Sequence, residues 1–142
     1  MKTKQIIASV CLYMVSVVAL IFGLLYLYKG FTTGLMPYHI KFLGKTCDEL
    51  DPQVCFLLKT FMRIIGFCFT AIGIANILLV KKLFDGIQDK FDWSLIFIMI
   101  LLSLVPLLPI TLSVGMYTPW WAVAVTIVCW VLGLILSYPK KQ

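Results

Sequence analysis

Four long runs of apolar residues follow one another along the chain, separated by short polar stretches. The runs cover roughly residues 6–28, 61–80, 93–114 and 119–138. A helix rises about 1.5 Å per residue, so about 20 residues cross the roughly 30 Å hydrocarbon core of a bilayer. The pattern therefore predicts an all-α fold, an integral membrane bundle of four transmembrane helices. Since these spans and their loops use the whole chain, we expect residues 1–142 to form a single transmembrane domain.

Composition supports the same interpretation. The chain is 62% hydrophobic and only 13% charged, whereas a typical soluble domain carries about 25% charged residues. A water-soluble fold of this size could not bury so much apolar surface. The net charge of +6 resides on lysines and arginine near the ends of the runs, where cations meet anionic headgroups. We therefore expect membrane lipids as partners and no nucleic acid.

The distribution of lysine predicts the orientation, because cytoplasmic loops carry an excess of Lys and Arg. The two termini and the second loop hold most of the loop lysines, the first loop holds Lys29, Lys41 and Lys45, and the third loop holds none. This bias predicts cytoplasmic N- and C-termini. The default location is a bacterial inner (plasma) membrane. The ER membrane is the alternative, because residues 139–142 partly resemble a dilysine signal.

The first loop contains a short amphipathic segment at residues 35–43. Pro37 suits the first position of a helix, and Gly44 ends the segment. Its length and its mixture of apolar and polar side chains are typical of an interfacial helix and not of a span. Asp51 then precedes Pro52, and this pair predicts that the second long helix begins there.

Two prolines interrupt the third apolar run. Pro106 and Pro109 each remove a backbone N–H donor and crowd the preceding turn, so we expect a helix break at these positions. The carbonyl groups released by a break need partners in the protein or in a water-lined cavity. The next loop, residues 115–118, is so short that the third and fourth spans should be antiparallel neighbours.

Charged and small residues share one face of the second span. Lys59 and Arg63 are four residues apart, and Gly66, Thr70 and Gly73 continue their face, with Asn76 slightly off it. A charge within a span often marks a functional site, so one interpretation is an anion-binding site. The alternative is that the cations snorkel to the interface while the small residues allow close packing of helices.

The anion hypothesis adds residues of the first loop to this face. His39 is the single histidine and follows Tyr38. It could carry a proton near neutral pH, or its amphipathic ring could simply suit the membrane boundary. The predicted ligand-binding residues are Lys59, Arg63, His39, Tyr38, Thr70 and Asn76.

The five cysteines divide into two groups. Cys11, Cys68 and Cys129 lie inside the apolar runs, whereas Cys47 and Cys55 lie in or beside the first loop. If that loop faces an oxidising compartment, the pair is a candidate disulfide, with reduced thiols as the alternative. A redox-active role is disfavoured because the chain has no C-x-x-C sequence. One histidine and this wide cysteine spacing do not fit a zinc site, so no metal is expected.

No catalytic signature is present. The chain lacks a G-x-S-x-G sequence, a phosphate-binding loop and a dinucleotide fingerprint, and its six acidic residues lie outside the predicted spans. We therefore expect no cofactor and favour a non-enzymatic membrane protein that binds an anionic lipid or small solute near the outer face. The alternatives are an accessory or assembly subunit of a larger membrane complex, and a membrane enzyme acting on lipid or thiol substrates. Homo-oligomerisation is also expected, because four helices leave much surface for partners.

Overall fold

A computed structural model describes residues 3–32, 34–85, 90–114 and 118–138. Within these ranges the chain is helical and contains no strand. The helices are α1 (Thr3–Phe31), α2 (Pro37–Leu43), α3 (Pro52–Asp85), α4 (Lys90–Leu104), α5 (Leu107–Val114) and α6 (Trp120–Ser137), with a short 3₁₀ turn at Cys47–Glu49. The predicted all-α four-helix bundle with a short extra helix after the first span is confirmed.

Four helical stretches are long and apolar enough to cross a membrane. They are α1, α3, the combined α4–α5 stretch and α6. Many large apolar side chains on their outward sides are exposed. An aqueous surface rarely carries such a continuous apolar covering, whereas a lipid-facing one does. The chain is therefore an integral membrane protein. The bundle has two ends. The α2 end carries α2, and the far end is the one at which α3 and α6 finish.

The sequence signals for helix ends in the connection between α1 and α3 are confirmed. Helix α2 begins at Pro37 and ends at Leu43. Gly44 caps it, with a φ of +65° that favours glycine and an amide that donates to the carbonyl of Ile40 at 2.8 Å. Helix α3 begins directly after Asp51, whose Oδ1 accepts from the amide of Gln53 at 2.8 Å. As a result α3 starts more than two turns before residue 61, where the apolar run begins.

The third span consists of two helices. Helix α4 ends at Leu104 and α5 begins at Leu107, so the interruption lies at Val105 and Pro106. Pro109 lies in the first turn of α5, where an N–H would have no intrahelical partner, and the turn before it is the interrupted one. Residues 115–117, which form most of the predicted third loop, lie outside the described residues.

Helices α1 and α3 pack against each other through glycines. A Cβ atom built on Gly23 would lie 2.5 Å from the backbone N of Thr70, and one built on Gly73 would lie 2.8 Å from the backbone N of Leu20. These distances allow no side chain larger than hydrogen at either position. The small-residue face of the second span is thus the surface on which α1 packs.

A buried hydrophobic cluster fills the far end of the bundle. Its members are Leu12, Val15, Val80, Leu83, Ile96, Ile100, Leu104, Trp130 and Leu134. At the same end Lys82 Nζ donates to Asp92 Oδ1 at 2.9 Å and links α3 to α4. Asp92 precedes the third apolar run in the sequence, yet it lies in the first turn of α4 and is only 2% exposed. The reason is that both helices extend into the predicted loop, of which residues 86–89 lie outside the described residues.

Candidate functional site

A cavity of about 510 Å³ lies between α1, α3, α4–α5 and α6, and α2 contributes to its wall. It exists because α1 packs closely on α3 and α6, whereas α4 and α5 contact the other helices sparsely. Small-molecule sites in proteins usually have volumes of about 300–1,000 Å³. The cavity is therefore large enough to hold a ligand.

The wall of the cavity is mostly apolar. On α1 the lining residues recur at helical spacing and so form one face, comprising Val15, Val18, Ala19, Phe22 and Tyr26. On α6 the wall includes Ala122, Val123 and Thr126. A long apolar wall within the membrane-spanning part of the bundle favours a ligand with a hydrocarbon portion.

Aromatic and polar groups meet at the α2 end of the cavity. The hydroxyls of Tyr26 and Tyr38 form a hydrogen bond. The ring of His39 lies 4.4 Å from that of Tyr38 and 6.1 Å from that of Tyr26, centroid to centroid. The Nδ1 atom of His39 accepts from the amide of Met36 at 3.4 Å. Burial lowers the pKa of His39 and raises that of the Tyr38 hydroxyl, so both groups are neutral near pH 7.

A single buried amide lies much deeper. Asn76 is 1% exposed and lines the cavity. Neither its Oδ1 nor its Nδ2 has a hydrogen-bond partner among the described residues. Along α3 it lies about 21 Å, at about 1.5 Å per residue, from Met62, which also lines the cavity and packs in one cluster with Tyr26 and Tyr38. The cavity is thus elongated and has polar groups at two levels.

Lys59 and Arg63 lie on a neighbouring face of α3 and are not part of the cavity wall. The Nε atom of Arg63 donates to the carbonyl oxygen of Gly30 at 2.9 Å, and its guanidinium carbon lies 4.6 Å from the ring centre of Phe31. Lys59 runs beside Gly34, where an added Cβ would lie 2.9 Å from the lysine Cε. Both cations therefore face the C-terminal end of α1, where positive charge complements the helix dipole.

The structure thus divides the residues predicted to bind a ligand. Tyr38, His39 and Asn76 line the cavity, whereas Lys59, Arg63 and Thr70 lie where α3 meets α1. Tyr26, Ser103 and Thr126 also line the cavity, and no pattern in the sequence marks them as site residues. Thr126 could have been noticed as a polar residue within an apolar run, but its direction depends on how α6 is rotated.

Cys47 and Cys55 lie at disulfide distance, with their Cα atoms 5.4 Å apart. Cys47 lies in the 3₁₀ turn beside Gly34, and Cys55 lies in the first turn of α3. Cys11, Cys68 and Cys129 are free thiols. Among the residues that the structure describes, no group of three or more His, Cys, Asp or Glu side chains is arranged to hold a metal ion.

Acidification is expected to loosen the packing of α2. Because burial lowers the pKa of His39 below its ordinary value of 6.5, the unfolded chain takes up this proton more readily than the folded one. The free energy of unfolding is therefore fully retained above about pH 6.5 and falls as the pH drops below it. Thermal unfolding in detergent, measured from about pH 7.5 to about pH 5.5, would show this loss.

The matched variant for this experiment is His39→Phe, which keeps an aromatic ring and removes the titration. Its stability should depend less on pH than that of the original chain. Glu49 does not titrate within this pH range. The amide of Thr46 donates to its carboxylate and lowers its pKa from 4.5. An equal pH dependence in both proteins would contradict the assignment to His39.

The chain has no significant match among protein-family models, curated proteins or solved structures.

Proposed function

We propose that this integral membrane protein is a non-enzymatic binder of a lipid-like small molecule, held in the cavity between α1, α3, α4–α5 and α6. The observation that carries the proposal is the cavity itself, about 510 Å³ in volume and apolar along most of its length. An elongated cavity in a membrane-spanning bundle is therefore suited to a hydrocarbon chain.

The polar groups of the cavity are those expected for an amphipathic ligand. Tyr38 and His39 lie at the α2 end, and Asn76 lies at the deeper level. Lys59 and Arg63, which the anion hypothesis requires, already contact the end of α1. The partner is therefore still a membrane lipid or a related small molecule. Neutral side chains of the cavity recognise it, and Lys59 and Arg63 do not.

Filling the cavity should weaken binding. Ala122 lines the cavity, so Ala122→Phe would place a ring inside it. Binding can be followed in detergent by energy transfer from the native tryptophans to a pyrene-labelled long-chain alcohol. We expect the apparent affinity of Ala122→Phe to be at least about tenfold weaker, because the ring occupies volume that the ligand needs.

The matched control is Ala71→Phe, which makes the same change on an exposed position of α3. It should bind the probe as the original chain does. Equal binding by both variants would contradict the proposed site. Purification with a stoichiometric protein partner, with no displaceable lipid, would instead favour the accessory-subunit hypothesis.

A further inference from the structure

The wall of the cavity contains no Asp, Glu, Lys or Arg among the residues that the structure describes. Its one titratable base, His39, lies at the α2 end with Nδ1 accepting from the amide of Met36. A carboxylate or phosphate placed deep in this wall would lose its water and gain no opposite charge, which is far more costly than burying a neutral polar group. The chemistry of the deep wall thus excludes a charged ligand group there.

The same wall offers one strong neutral recognition group. The amide of Asn76 provides two N–H donors and one carbonyl acceptor, and all of them are unpartnered within the described chain. Two other buried hydroxyls of the spans already have partners, since Ser16 donates to Leu12 O at 2.8 Å and Thr126 donates to Ala122 O at 2.7 Å. A buried amide without partners is destabilising, so it is an expected point of contact for a ligand.

We infer that the ligand is an uncharged amphiphile whose hydroxyl or carbonyl group hydrogen-bonds to Asn76, while its hydrocarbon portion fills the apolar remainder of the cavity. This inference rests on the proposed function and adds the chemical class of the ligand. An amide pairs equally well with a hydroxyl, which donates and accepts, and with a carbonyl, which accepts from Nδ2. Neutral long-chain alcohols, ketones and related lipids satisfy both requirements.

A series of ligands with one chain length tests the inference. Decanol, 2-decanone, decane and decanoate would compete with the pyrene-labelled alcohol, with each concentration corrected for partition into the detergent. For the original chain we expect decanol and decanone to displace the probe at concentrations about tenfold lower than decane, as one net hydrogen bond provides. Decanoate, ionised at alkaline pH, should be the weakest competitor.

Asn76→Leu should remove the preference for the polar compounds and leave the affinity for decane unchanged. The matched control is Thr70→Val, because Thr70 also carries a buried hydroxyl without a partner among the described residues but lies against α1, outside the cavity. The control should keep the full preference. Thermal unfolding of each variant would verify that it folds. If Asn76→Leu does not fold, the ligand series on the original chain still decides the question.

The outcomes separate the two proposals. If decane and decanol compete equally with the original chain, or if Asn76→Leu keeps the preference, recognition by Asn76 is wrong while binding in the cavity stands. If decanoate is the best competitor, the neutral-ligand class is wrong. If no compound displaces the probe and Ala122→Phe binds it unchanged, the proposed function itself fails.

Discussion

Replacing Gly23 with valine is expected to lower the free energy of unfolding by about 3 kcal/mol, the upper part of the range usual for overpacking. A Cβ atom on Gly23 would lie 2.5 Å from the backbone N of Thr70 and 2.9 Å from the carbonyl oxygen of Gly66. Both atoms belong to the backbone of α3 and cannot rotate away. The two helices would have to separate, and the close contact that stabilises them in lipid would be lost.

The measurement is the loss of helical circular dichroism during titration with SDS in mixed micelles. Ala71→Val serves as the control, because it adds a β-branched side chain to an exposed position of α3, the helix that Gly23 contacts. It should shift the transition by no more than about 0.5 kcal/mol, as surface substitutions usually do. If the Gly23→Val transition also lay within about 0.5 kcal/mol of that of the original chain, α1 and α3 would not pack as described.

The packing face of α3 is the part of the tertiary structure that the sequence predicted best. Small residues on a membrane helix at a spacing of three and four identify a packing face before any partner is known. Gly66 and Gly73 on α3 do face α1, at Leu27 and Leu20 respectively. The sequence also predicted the start of α3, because the Asp51 cap depends on local chemistry. It predicted the span lengths because these follow from the thickness of a bilayer.

The cavity could not be predicted, because it depends on how each helix is rotated and on how α4–α5 packs. At about 100° per residue, Asn76 lies about 100° around α3 from Lys59, on the same side as Met62 and Phe69. The sequence therefore showed that Asn76 departs from the face of Lys59. It did not show that this second face borders open space, since that follows from the sparse contacts of α4 and α5.

The two cations of α3 illustrate a different limit. A charge within an apolar run is correctly identified as unusual, but sequence alone does not say what satisfies it. In the structure Arg63 donates to the carbonyl of Gly30 and lies over Phe31, both at the end of α1. The partner is a backbone group from another helix, and no residue pattern encodes its position.

The far end of the bundle should be the least tolerant of truncation, and Trp130→Ala is expected to cost about 3–5 kcal/mol. Trp130 is 4% exposed, and its ring stacks on Phe97 with centroids 5.6 Å apart. Phe97 in turn stacks on Trp93 at 5.8 Å. Removing the indole would empty the centre of the buried cluster that ends the cavity on this side, and the same SDS titration would measure the loss.

Trp130→Phe provides the comparison that separates ring packing from polar interaction. The Nε1 of Trp130 is buried and has no partner in the described part of the chain, so phenylalanine keeps a stacked ring and removes an unsatisfied donor. Its cost should stay below about 1.5 kcal/mol, as for other conservative exchanges of core side chains. If phenylalanine proved as damaging as alanine, the indole N–H would have to be bonded, and the far end would need a polar contact in place of the aromatic stack. If both variants were harmless, the cluster would not be what holds α4 and α6 together at that end.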